Sequence, residues 1–411
     1  MNVLQINTTD ARGGAAKVAY LLKIESEKRG HTTSMFVGRK YSDNEKVYLL
    51  NDVQSFTGKI RRKLAYYLAN DIDVFSSDHI LKTEEFKKAD VIHCHNLHSN
   101  YFNLGTLEKI SRFKPVVWTF HDMWPITAHC AHAFDGKLKE SGFFTCPNLD
   151  IYPPIAWHNE KYLEKRRKQI YEKSNFHIVT PSKWLGDKVG LSILKDKPLT
   201  VIYNGIDTEV FKPIPQAKAR LDIGLPLNKK IVLTVAKRGK FNLWKGGGYA
   251  QEIINSSRDR SDLYFVNLGG NGNDHLQTNI KTVSYVKDET LLAKYYSAAN
   301  VLLYPSIADN CPLVVLEAQA CGLPVIAFNT GGIPELIEHQ KTGFIADYKN
   351  LDDLKTGLNF ILNLNDIQIK NFREDSVKNI ADNFSKELMV NSYIQLYQKE
   401  VSAFNSPDMS Q

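Results

Sequence analysis

Long apolar runs are missing from this chain. None of its 411 residues falls in a window approaching the roughly 18 apolar residues of a membrane-spanning helix, which excludes a helical membrane domain. Cysteine is scarce: the five residues Cys94, Cys130, Cys146, Cys311 and Cys321 are odd in number and scattered. That usage predicts buried or idle thiols in a reducing compartment and argues against a disulfide framework. The opening "MNVLQINTTDARGG" has neither a basic leader nor a long apolar centre, so it reads as a first strand and not as a signal peptide. There is no internal repeat and no long polar tract, which removes solenoids and disordered chains. An excess of one charge sign is also small. With 52 basic against 45 acidic residues the net charge is +7, enough to favour anionic partners but with no nucleic-acid signature. The expectation is a cytoplasmic protein, with contact to the inner face of a membrane left open.

What the chain does have is alternation. "NVLQIN", "TSMFVG", "DVIHCH", "PVVWTF" and "FHIVTP" are short apolar runs, each followed by a polar turn and a helix-period stretch. The second half repeats the scheme with "KIVLTVA", "LYFVNLGG", "NVLLYPS", "PVIAFNT" and "GFIAD". Runs apolar on both faces, separated by helices, predict parallel sheets and hence two doubly wound α/β domains. Their boundary is expected near "LTVIYNGIDTEVFKPI", giving domains 1–198 and 199–384, with an amphipathic terminal helix at 385–403 returning to the first. In open sheets of this kind ligands lie beyond the carboxyl ends of the strands.

The stretch "YPSIADNCPLVVLEAQACGLPVIAFNTGGIPE" (304–335) carries the clearest chemistry. Pro312 suits the first turn of a helix and Gly322 its end. The helix tip near Leu313 and Val314 then offers free backbone N–H groups to a diphosphate, with Cys311 and Pro312 beside it as further donor-site residues. Glu317, one turn further in, is placed to accept two hydrogen bonds from a vicinal diol such as a ribose. Asp309, on the preceding loop, is placed for hydroxyls of a second ring. Two basic segments stand out elsewhere. "KIRRK" (59–63), running into "LAYYLA", reads as a basic amphipathic helix whose setting is either a solvated face or an anionic bilayer surface, and "EKRRK" (164–168) is the second concentration of base.

The acid, seven residues and glutamate of "ADNCPLVVLEAQACGLPVIAFNTGGIPELI" resemble the signature of the retaining glycosyltransferases of family 4, with the GT-B fold. The resemblance extends over Gly13-Gly14, "FHDMWP" (120–125), "PSKWL" (181–185), "VIYNGIDTEVFKP" (201–213) and "WKGG" (244–247). Asp309 stands where many members carry a glutamate. The likeness implies two Rossmann-like domains facing across a cleft, the first on the acceptor side and the second binding a nucleotide sugar. It implies catalytic roles for Asp309, Glu317 and His121, and donor contacts from Gly13, Gly14, Lys245 and Arg238, with Lys240 as the alternative partner of Lys245. It further implies a UDP-sugar or GDP-sugar donor, a glycan or lipid-linked acceptor, retention of anomeric configuration, no cofactor and no metal. Asp122 is expected to orient His121 or its loop, and "TGG" (330–332) to shape the donor pocket.

Three signals compete with that reading. "HCHNLH" places His93, His95 and His98 at a spacing that metal ligands use, which with Asp122 would sketch a metal-dependent hydrolase. Cys130, His132 and Cys146 lack the close pairing of a zinc site. "NLDIYPPIAWHNEKYLEKRRKQIY" (148–171) interleaves rings and bases, but Trp124 and Trp157 read equally as sugar contacts or as packing. A nucleotide-sugar epimerase on the same scaffold is a further alternative.

Overall fold

The computed structural model describes residues 1–236, 244–270, 276–277 and 279–406. The chain divides into two compact units, Met1–Tyr203 with Met389–Gln411, and Asn204–Leu388.

The first unit is built on β1 (Asn2–Thr9), β2 (Thr32–Arg39), β3 (Val47–Leu49), β4 (Val91–Cys94), β5 (Val116–Thr119), β6 (His177–Thr180) and β7 (Leu199–Val201). They form one parallel sheet in the order β3-β2-β1-β4-β5-β6-β7. β4, β5 and β6 are buried along their whole length, which is why they read as unbroken apolar runs. The last helix, Lys386–Asn405, contributes to this unit through Tyr393, whose hydroxyl is 2.9 Å from Thr119 Oγ1, and Tyr397, whose hydroxyl is 2.6 Å from His93 Nδ1.

The second unit contains β8 (Lys230–Val235), β9 (Leu263–Leu268), β10 (Leu276–Gln277), β11 (Ile280–Val283), β12 (Val301–Tyr304), β13 (Val325–Phe328) and β14 (Gly343–Ala346). Their order is β10-β11-β9-β8-β12-β13-β14, parallel except for the β10–β11 pair. Val232, Phe265, Leu303, Ile326 and Phe328 from the sheet pack with Leu354, Leu358 and Ile361 of the helix Leu351–Leu362. Two Rossmann-like parallel sheets of this kind are the GT-B fold expected from the sequence.

In both sheets the order of addition reverses between two adjacent strands, β1 and β4 in the first and β8 and β12 in the second. Loops leaving a sheet at such a switch point diverge and leave room for a ligand. The segments singled out above follow these strands: Gly13-Gly14 after β1, His95 after β4, Lys245 beyond β8 and Asp309 after β12.

One reading of cysteine is corrected. Cys130 and Cys146 are joined as a disulfide, with Cα atoms 5.9 Å apart, where idle thiols were expected; a separation of 16 residues gave no pairing signal, and the loop between them brings the two together. Cys94, Cys311 and Cys321 are free and buried. Within "EKRRK", Arg167 is fully buried and donates from Nε to the Ala128 carbonyl at 3.2 Å and from Nη1 to the Tyr171 hydroxyl at 3.2 Å.

Candidate active site

The second unit's site begins with the helix Leu313–Ala320. Pro312 is its N-cap and not its first-turn residue, in an extended conformation that aims the chain into the helix. The first two helical N–H groups, of Leu313 and Val314, have no carbonyl within the helix to reach, and both residues are partly exposed. At the other end Gly322, with φ of 71°, turns the chain left-handed, and the N–H groups of Gly322 and Leu323 return to the carbonyls of Gln319 and Ala318 at 2.9 and 3.0 Å. That closing motif is what the glycine supplies. The Cys311 carbonyl accepts from Asn204 Nδ2 at 2.9 Å, which anchors the approach to the helix, and burial pushes the Cys311 thiol up to about 12.

Lys245 reaches the same place from the loop beyond β8. Gly246 has φ of 67°, and a Cβ there would lie 1.7 Å from the Pro305 carbonyl oxygen, so only glycine lets the two loops meet this closely. The Trp244 carbonyl accepts from Ser306 Oγ at 3.0 Å and from the Ile307 N–H at 2.9 Å, fastening the lysine loop to the loop after β12. Lys245 Nζ donates to the Tyr304 hydroxyl at 2.9 Å and forms an ion pair with Asp309 Oδ2, to which Tyr304 also donates. Burial alone would discourage the lysine charge. The Asp309 carboxylate and Tyr304 outweigh it and hold the Lys245 pKa above its ordinary value, while burial and then Asp309 raise that of Tyr304. Lys245 is thus a fixed cation.

Glu317 is 3% exposed and accepts from the Tyr296 hydroxyl at 2.8 Å. Burial first, and then Glu317, raise the Tyr296 pKa, so this phenol stays a donor. The loop Thr330–Gly332 closes on Asp309 through the Gly332 N–H, which donates to the Asp309 carbonyl at 3.4 Å. Arg238 and Lys240 lie outside the described residues.

In the first unit Gly13 is exposed and precedes the helix Gly14–Lys28 with φ of 102°, and nothing lies within 4 Å of the space a Cβ would take at Gly13 or Gly14. His121, after β5, has Nε2 3.0 Å from His95 Nδ1. Burial pushes the His121 imidazole down to about 4, with Asp122 opposing, and pushes His93 and His95 well below the usual histidine range. All three are neutral near pH 7. Asp122 pairs with His98 Nε2 at 3.0 Å and accepts from the Trp124 N–H at 2.9 Å. It therefore orients the loop and His98, not His121.

The histidine cluster is not arranged for a metal. His93 has one ring nitrogen 2.8 Å from Thr119 Oγ1 and the other 2.6 Å from the Tyr397 hydroxyl, so neither points at a shared centre. Among the described residues no three His, Cys, Asp or Glu side chains form a group that could hold a metal ion. Trp124 is buried, with Nε1 donating to Asp71 Oδ2 at 2.8 Å and the Arg167 guanidinium stacked 3.8 Å from its ring centre, which makes it packing and not a sugar contact. Trp157 is half exposed.

Sequence reasoning missed Tyr304 and Tyr296. The first left a signal, a polar tip ending the apolar run "NVLLY" five residues before Asp309; the second left none, because it meets Glu317 only through packing of the helix Glu289–Ala298.

Comparison with known proteins bears directly on these two units. Residues 12–210 match the family described as Glycosyltransferase Family 4, and residues 223–381 match Glycosyl transferases group 1. WcaC of Escherichia coli K12, named for a glycosyl transferase of colanic acid biosynthesis, is 26% identical over 362 residues, covering 84% of this chain and 86% of WcaC. Among solved structures, sucrose-phosphate synthase from Thermosynechococcus elongatus superposes with a TM-score of 0.68 at 17% identity, covering 98% of this chain and 99% of that one. HepE of Anabaena, in complex with UDP-glucose, gives 0.62 at 16% identity, covering 98% and 99%.

Proposed function

The chain belongs to the family 4 glycosyltransferases with the GT-B fold, and on that premise we propose that it moves a sugar from a nucleoside-diphosphate donor to a glycan or lipid-linked acceptor, with retention of the anomeric configuration. One observation carries the reading: a fixed cation, Lys245, stands beside Asp309 before the free N–H groups of a helix whose next turn carries Glu317. The UDP-glucose held by HepE and the colanic acid named for WcaC support a nucleotide-sugar donor and a role in surface polysaccharide assembly.

In this mechanism the donor diphosphate sits on the N–H groups of Leu313 and Val314, where the helix dipole favours negative charge. Lys245 leaves Asp309 for the phosphates. Asp309, released from the ion pair, accepts from a hydroxyl of the transferred sugar, while Glu317 takes the ribose diol. The bond between the anomeric carbon and the diphosphate oxygen breaks with its electron pair going to the phosphate, whose growing charge Lys245 meets. The acceptor hydroxyl attacks from the same face, and its proton passes to the departing diphosphate oxygen. No protein nucleophile is needed; the residues position and neutralise. Within the first unit Gly13 and Gly14 let backbone approach a ligand, and neutral His121 offers a hydrogen bond to a sugar hydroxyl. The reaction as written uses no metal.

A thermal-shift panel of sugar nucleotides, followed by incubation of the best binder with and without acceptor glycans, tests this. Transfer requiring acceptor supports it, and NMR of the product reads the anomer. A new sugar nucleotide formed from donor alone would make the protein an epimerase instead.

A further inference from the structure

The helix Phe56–Tyr67 turns its apolar residues the wrong way for a soluble protein. Its body-facing positions are Gly58 and Ala65, the two buried residues. Gly58 lies so close that a Cβ would be 2.1 Å from the Asp52 carbonyl oxygen, and Ser55 caps the helix by accepting from the Gly58 N–H at 3.1 Å. With about 3.6 residues per turn, the pole opposite Gly58 and Ala65 carries Phe56, Ile60, Lys63 and Tyr67, with Leu64 beside them. Phe56 is 80% exposed, Ile60 53%, Leu64 48% and Tyr67 59%. This spacing would ordinarily mark a core-facing stripe.

The patch continues onto a second segment. Trp157 donates from Nε1 to the Tyr67 carbonyl at 2.9 Å, and the Ala156 N–H donates to the Tyr66 carbonyl at 3.1 Å. These bonds satisfy the helix C-terminus and set the half-exposed Trp157 beside the stripe. An indole at the edge of an apolar patch, with its N–H already bonded, suits the boundary between water and lipid.

Charge decides what covers the patch. The helix carries Lys59, Arg61, Arg62 and Lys63 and no acidic residue. Of these, Lys59 and Lys63 border the apolar pole, so a second copy packed on it by a two-fold axis would bring these lysines against their own counterparts, a repulsion that self-association would have to overcome. An anionic bilayer offers both the apolar depth and the opposite charge. We propose that this helix, with Trp157, is the surface by which the protein lies on a membrane containing anionic lipid. The proposal stands apart from the donor site and is tested without a donor.

The experiment is co-sedimentation of the full chain with vesicles of phosphatidylcholine, with and without phosphatidylglycerol. Binding is expected to the anionic vesicles and to weaken as salt rises. Each basic residue near such a surface contributes on the order of fivefold, so Lys59→Gln with Lys63→Gln should weaken binding about 25-fold. Phe56→Ser with Ile60→Ser should weaken it more than tenfold, since these side chains would leave the acyl boundary. Acyl chains carrying bromine should quench tryptophan emission in the parent protein but not in Trp157→Phe. If the serine pair fails to fold, the glutamine pair and the quenching experiment still decide. Absence of binding to anionic vesicles would overturn the proposal, as would equal binding by both pairs. A dimer in sedimentation velocity that the serine pair dissolves, with no vesicle binding, would give the face to a second copy and overturn it too.

Discussion

Replacing Lys245 by methionine removes the ammonium and keeps the length of its stem. Three effects can be separated. The ion pair it loses is partly exposed, with side-chain exposures of 33% for Lys245 and 17% for Asp309, so its contribution to folding is at most about 1 kcal/mol. Tyr304 continues to donate to Asp309, and the variant should fold. Binding loses one charge-assisted hydrogen bond to a diphosphate, about 1.5 to 3 kcal/mol, so the affinity for a nucleoside diphosphate should fall roughly 10- to 150-fold. Chemistry loses a donor aimed at developing charge, which typically costs about 100- to 1,000-fold in kcat. Calorimetric titration with UDP and with uridine isolates the binding effect, because uridine has no phosphate for Lys245 to meet and should bind parent and variant alike. Initial rates of transfer isolate the chemical one. Lys245→Arg, which keeps the charge on a different geometry, should recover part of both. A Lys245→Met protein with kcat/KM within threefold of the parent would refute the role given to this cation.

Glu317→Gln should raise the donor KM by up to about a hundredfold, two charge-assisted bonds at roughly 1.5 kcal/mol each, while Tyr296→Phe should have a smaller effect on the same assay because only the orientation of Glu317 is loosened. Gly246→Ala should destabilise by at least about 2 kcal/mol, read as a lowered denaturation midpoint, and lower activity with it, because the added methyl collides with the Pro305 carbonyl at a left-handed position. The His121 pKa, lowered from the usual 6.5 to about 4, means that the unfolded chain binds a proton before the folded one as pH falls. Folding stability should therefore decline from about pH 6.5 toward pH 4 and the decline should be shallower in His121→Asn, measured by denaturation at each pH. Alkylation without reductant should leave Cys130 and Cys146 unmodified in the unfolded chain and label the other three cysteines.

The parallel sheets were legible because strands buried on both faces must be apolar throughout, as in "DVIH", "PVVW" and "VLLY". Short or partly exposed strands were not. β3 has three residues, β7 is partly exposed along its length, and β11 is likewise never fully buried, so none carries a strong run. At the site, the proline, the glutamate eight positions after an aspartate and the closing glycine fixed a helix and a loop by local rules alone. Their partners were set by tertiary contact: the pairing of Lys245 with Asp309 spans 64 residues, and His98, not its neighbour His121, takes Asp122. Trp124 read equally as a sugar contact or as packing, because a large ring serves either. Only the buried Arg167 and Asp71 around it turn it into core. The helix Phe56–Tyr67 was legible as basic and amphipathic, but that the body accepts it only by its glycine and alanine was set by tertiary packing.

The central claim is that the donor's phosphates are held by the tip of the helix Leu313–Ala320 and by Lys245. It is tested most directly by a crystal structure with the sugar nucleotide that gives the largest thermal shift. The phosphates should lie within hydrogen-bonding distance of the Leu313 and Val314 N–H groups and of Lys245 Nζ, with the ribose hydroxyls on Glu317. Phosphates bound elsewhere, with Lys245 still paired to Asp309, would contradict it.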